Sequence, residues 1–191
     1  MSVLIPITCP VGCEGALVPV NFDLCAPEVH YGEVSKIYLA DADAASFVSY
    51  AAIETAAAWQ ARIDLTDPQT TTGPNVIRVL TVLGDLPVAE QTEISISGDR
   101  TIVGAKQFTL TFEIDETNAY NYNFLLTSEC NLTFKMWFET SDGMMYGGLD
   151  GIIASLRLNL MIPRARTDIV KYMGTLKWKS VFSPYVSLSP L

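Results

Sequence analysis

The chain has 191 residues, 49% of them hydrophobic and 17% charged, with a net charge of −9. That length buries a core of its own without staples, and an acidic total excludes a surface that grips duplex DNA by replacing phosphate counterions. Charge is uneven. Residues 1–150 hold 6 basic and 20 acidic side chains (−14), whereas 151–191 hold 6 basic and one acidic, Asp168 (+5). Such asymmetry lets the acidic part of one copy steer towards the basic part of another.

Residues 1–36 contain four prolines between short apolar runs and read as an extended N-terminal arm, ahead of a single β-rich domain over 37–191. The opening MSVLIPITCP lacks a basic segment and a long apolar core, so no secretory signal is expected. Cys9, Cys13, Cys25 and His30 fall within this arm and are the residue types of a tetrahedral zinc set. Their spacing matches no standard zinc motif, and three small free thiols are the favoured reading; no cofactor is expected.

Lys36–Ala40 reads as a short strand, and Asp41 or Asp43 as the cap of a helix from about Ala44 to Arg62. Val48, Ala52, Thr55, Trp59 and Ile63 would form its buried face. Charged residues interrupt the alanine-rich stretch, so no membrane span is expected. A Pro- and Gly-containing loop follows. Then come strands over Val76–Leu83, Thr92–Ser97 and Ile102–Ile114, with Asp99–Gly104 as a loop between the last two. In the third strand Phe108, Leu110, Phe112 and Ile114 alternate with Gln107, Thr109, Thr111 and Glu113, the period of a sheet with one buried face.

A second, shorter helix is expected over Thr117–Ser128, with Asp115 and Glu116 at its positive end and Tyr120 one turn from Phe124. Leu132–Thr140 and Met144–Gly147 read as a hairpin turned by Ser141–Asp142–Gly143, and Gly147–Gly148 as a turn or bulge. Ile152–Ile162 alternates until Pro163 stops it. Ile169–Phe182 completes the set, with Val170, Tyr172, Leu176, Trp178 and Phe182 on one face and Lys171, Lys177 and Lys179 on the other. The expected fold is α+β, mainly β: a β-sandwich or open barrel of about seven strands with one flanking helix and a second short helix.

Chemistry is sparse. His30 is the only histidine, and no nucleophile elbow or phosphate-cradling glycine pattern occurs, so no enzyme is expected. The pairs Asp41/Asp43 and Asp115/Glu116 sit where helix caps belong. Trp59, Trp137 and Trp178 are candidates for packing or, on a ligand-binding β-sandwich, for stacking on a carbohydrate.

The stretch GDLPVAEQTEISISGDRTIVGAKQFTLTFEIDETNAYNYNFLL, with MWFETSDGMMYGG and IPRARTDIVKYMGTLKWKS, resembles virion structural proteins of tailed phages that infect Bacteroidetes, most nearly a tail tube or tail-barrel subunit. The resemblance covers about residues 76–182 and lies in texture and order, with no short motif. It implies a β-sandwich with a flanking helix, self-assembly into a homo-oligomeric ring or tube, contacts with other virion proteins, and DNA passing without specific binding. It places the protein in the virion and leaves a head decoration or auxiliary capsid protein as the alternative. Asp99, Arg100, Lys171, Lys177 and Lys179 are the interface candidates.

Overall fold

The computed structural model describes residues 32–64, 66, 69–96, 100–130, 133–164 and 167–191. In chain order the elements are β1 (Glu33–Asp41), α1 (Tyr50–Ile53), α2 (Ala56–Gln60), β2 (Arg78–Asp85), β3 (Val88–Ile96), β4 (Arg100–Ile114), α3 (Ala119–Cys130), β5 (Thr133–Thr140), β6 (Met144–Tyr146), β7 (Ile152–Met161), β8 (Lys171–Ser180) and β9 (Val186–Leu188). Glu33–Lys36, read from sequence as the end of the arm, open β1, because fully buried Val34 already belongs to the core. The rest of the arm, with Cys9, Cys13, Cys25 and His30, lies outside the described residues.

Six strands, in the order β1-β2-β4-β8-β7-β5, form an antiparallel barrel that closes where β1 pairs with β5. The barrel is therefore closed, not open. β1 carries a partner on each edge, β2 through Ile37↔Leu80 and β5 through Ile37↔Phe138. Closure removes the free edges an open sheet would have to protect. Three further strands lie off the barrel wall: β3 on β4, β6 on β5, and β9 on β6.

The period-two patterns account for the interior. Phe108, Leu110, Phe112 and Ile114 of β4 point inward with Phe134, Met136 and Phe138 of β5, Ala154, Leu156 and Leu158 of β7, and Tyr172, Leu176 and Trp178 of β8. Gly174 sits opposite Phe112, and a Cβ there would meet the Phe112 ring at 2.2 Å, so the ring occupies the space a side chain on β8 would need. Helix α3 adds Leu125 and Phe124 to the same cluster. It is capped by Asn118, whose side chain accepts from Asn121 N at 2.9 Å, and not by Asp115 or Glu116. Glu116 acts one step back, accepting from the Asn118 amide at 2.6 Å. Tyr120 is exposed.

A second core lies outside the barrel wall. Tyr38 and Ala40 of β1, Trp137 of β5 and Met145 of β6 face outward and are covered by Ala44, Phe47, Ile53, Trp59, Ile63 and Ile77. This layer departs from the single helix expected over Ala44–Arg62. Ser49 caps α1, its side chain accepting from Ala52 N, and the Thr55 hydroxyl donates to Ala52 O at 2.8 Å between the two short helices. Side-chain bonds of this kind compete with helix continuation. The break lets Phe47 and Trp59 both reach the barrel, with Phe47–Trp59 and Trp59–Trp137 ring centroids 4.7 and 5.6 Å apart. Val48, expected on the buried face, is 95% exposed. Asp41 ends β1 and Asp43 lies in the turn after it, so neither caps a helix.

Gly147 and Gly148 do form the turn expected of them, with φ of 134° and 67°. The close approach is at Gly147, where a Cβ would stand 2.5 Å from the Trp137 ring. Trp137 Nε1 in turn donates to Gly148 O at 2.8 Å.

Candidate assembly surface

β2 and β3 run as one interrupted strand along β4. Leu83↔Glu113 and Gly84↔Phe112 pair first, and after Leu86–Pro87 the pairing resumes at Val88↔Thr109 and continues to Ile96↔Arg100. Four residues on the β2–β3 side span three on β4, so the strand bends where Pro87 removes a donor. A second irregularity, between Gln91↔Lys106 and Glu93↔Val103, puts the extra residue in β4 beside Gly104.

On its other edge β4 pairs with β8 only from Lys106 to Ile114. Arg100–Val103 pair with Glu93–Ile96 of β3 and extend past the end of β8 as a two-stranded ribbon. Val88, Ala89, Glu90, Gln91, Glu93 and Ser95 are all exposed, so neighbouring positions of β3 meet solvent whichever way they point. Among the described residues β3 pairs only with β4. A two-stranded ribbon is marginal by itself, and its outer edge offers N–H and C=O groups to another strand.

This arrangement corrects the loop expected over Asp99–Gly104. Arg100 is the first residue of β4, opposite Ile96, and Arg100–Gly104 belong to the strand because β3 supplies their partners. Asp99 lies outside the described residues.

The lysines of β8 divide. Lys171 reaches across to Glu113 on β4 at 2.5 Å and is consumed within the sheet. Lys177 and Lys179 are exposed on the outer face, opposite Thr109 and Gln107 on β4. Arg157 of β7, which sequence reasoning passed over, is exposed on the same face opposite Thr175, diagonal to Lys177. Among the described residues none of these three cations has a carboxylate partner. The signal for Arg157 was present in the alternation of β7, but its neighbours on β8 follow only from register.

Two polar clusters lie under cover and serve the fold. The Tyr38 hydroxyl donates to Glu139 Oε2 at 2.5 Å, and Lys36 Nζ lies 3.4 Å from the same oxygen. Tyr38 and Glu139 are both buried, and burial first, then the bond to Glu139, pushes the phenol well above its ordinary value. Asp64 accepts from the Thr66 hydroxyl and backbone and from Thr71 N at 2.6 Å, and Arg78 Nη1 lies 3.8 Å away. The Thr66 hydroxyl bond and then the backbone donors of Thr71 and Thr66 hold this carboxyl well below its usual range. Both clusters are occupied by their own loop and strand partners.

Among the described residues no group of three or more His, Cys, Asp and Glu side chains is placed to hold a metal, and no helix is long and apolar enough to cross a membrane. The tryptophans do not provide a stacking surface for carbohydrate: Trp59 and Trp137 are fully buried and Trp178 is 4% exposed. All three entered a core because the barrel has one inside and one outside. Compared with protein-family models, curated proteins and solved structures, the chain matches none.

Proposed function

We propose that this chain is a structural subunit of a tailed-phage virion, assembling with copies of itself into the rings or tube of a tail or neck around a channel for DNA. The observation that carries the proposal is the β3–β4 ribbon, whose β3 strand pairs only with β4 among the described residues, attached to a barrel that closes its own edges. A ribbon that projects from a closed barrel wall is suited to contacts between subunits. Repetition of one heterologous contact gives a ring when the rotation closes. The net charge of −9 supports a channel in which DNA slides without being held.

Negative-stain electron microscopy of the purified full chain tests this. Rings or stacked tubes with a central opening are expected. A chain that stays monomeric and binds only to assembled capsids would replace the tail reading with that of a head decoration protein.

A further inference from the structure

Building on the self-assembly reading, we infer that the partner of the ribbon is the bare outer face of β7 and β8 on a second copy of this chain. The two surfaces differ in charge. Val88–Ala105 carries Glu90, Glu93 and Asp99 against Arg100, three acids to one base. Ile152–Met161 and Lys171–Ser180 together carry Arg157, Lys171, Lys177 and Lys179 and no acid.

Glu113 neutralises Lys171 within the sheet and leaves Arg157, Lys177 and Lys179 exposed beside Ser155, Thr175, Thr109 and Gln107. Cross-strand neighbours of opposite sign are the ordinary way a sheet face balances itself. Here the balancing carboxylates, Glu90 and Glu93, stand exposed on β3 and have no basic partner among the described residues. Along the sheet, Gln107 of β4 stands between Glu90 and Lys179. A second copy supplies what each surface lacks.

The contact is head-to-tail: each copy offers one acidic ribbon and one basic face. Acids on the exposed edge also discourage strand addition by chains without a matching basic surface, so the same residues that select the partner exclude others.

The test is a charge exchange on the full chain, read by analytical ultracentrifugation at low and high salt. E90K/E93K and K177E/K179E each change exposed side chains, and circular dichroism on each variant checks that the barrel is intact. Either variant alone should require at least tenfold more protein to associate than the parent, and mixing the two should restore association, because the basic ribbon of one then meets the acidic face of the other. Raising salt from 0.05 to about 0.5 M should weaken association of the parent, as expected where exposed charges are screened within about 10 Å. Folded variants that associate like the parent, or a mixture that fails to recover, would overturn the contact. Association that follows the charge exchange but stops at short oligomers without rings keeps the contact and removes the tube; rings indifferent to the exchange keep the tube and remove the contact.

Discussion

Two sides of one barrel wall are built from strands of the same alternating texture and meet different fates. On the β1–β5 side the outward positions hold Tyr38 and Trp137, and the segment from Ala44 to Ile63 folds over them into a second core. On the β7–β8 side the outward positions hold Ser155, Arg157, Lys177 and Lys179, and they stay exposed. Covering a wall makes its outer residues part of stability. Leaving it bare frees them for contacts beyond the chain.

The largest effect that would break this distinction lies at Trp137. It is fully buried, its ring touches Phe47 and Trp59 at 5.7 and 5.6 Å, and Gly147 exists in its present place because the ring fills the space. Trp137→Ala should cost about 3–5 kcal/mol, measured by urea unfolding, since it empties a cavity that two packed layers cannot both collapse into. A loss below about 1 kcal/mol would mean that the outer layer contributes little and that the two sides are energetically alike.

Tyr38→Phe is the next test on the covered side. It removes the hydroxyl that donates to buried Glu139 and should cost about 1–3 kcal/mol near neutral pH. The pH dependence has a definite sign. The folded protein holds the Tyr38 phenol above its unfolded value, so its contribution is fully present below about pH 10 and is lost as pH rises from there towards the folded pKa. In that window the parent should lose up to about 1.4 kcal/mol per pH unit from this residue, and the alkaline limb of the Tyr38→Phe variant should be flatter. Equal alkaline slopes in the two proteins would show that Tyr38 ionises as readily folded as unfolded.

The smallest effect belongs to the bare side. Lys177→Ala should leave the thermal midpoint nearly unchanged, within about 0.5 kcal/mol, because the side chain is exposed and unpaired. A larger loss would give Lys177 a structural role and would place the bare face with the covered one.

The particular residues also show how far sequence reading reached. The inward faces of β4, β7 and β8 were legible because a strand alternates with a period of two, and Phe108 to Ile114 carry that period without interruption. Trp59 was legible as an anchor. The helix around it was not, since the alanines that favour a long helix are local, whereas the break at Ser49 and Thr55 answers to the shape of a wall made by β1 and β5. β9 was missed because three residues carry too short a pattern. The split of the β8 lysines was legible as a face but not as a pairing, for the Glu113 that takes Lys171 lies 58 residues away along the chain.

By itself the sequence determined which residues alternate, where turns fall and that the charge is −14 followed by +5, all properties of neighbours along the chain or of simple sums. The tertiary structure decided that β1 closes on β5, that Trp137 faces a second core while Lys177 faces outward, and that β3 continues past the barrel as a ribbon. Each of these depends on which strand edges meet. Strand pairing joins residues far apart in sequence, and alternation says only that a strand has two faces, never what will cover them.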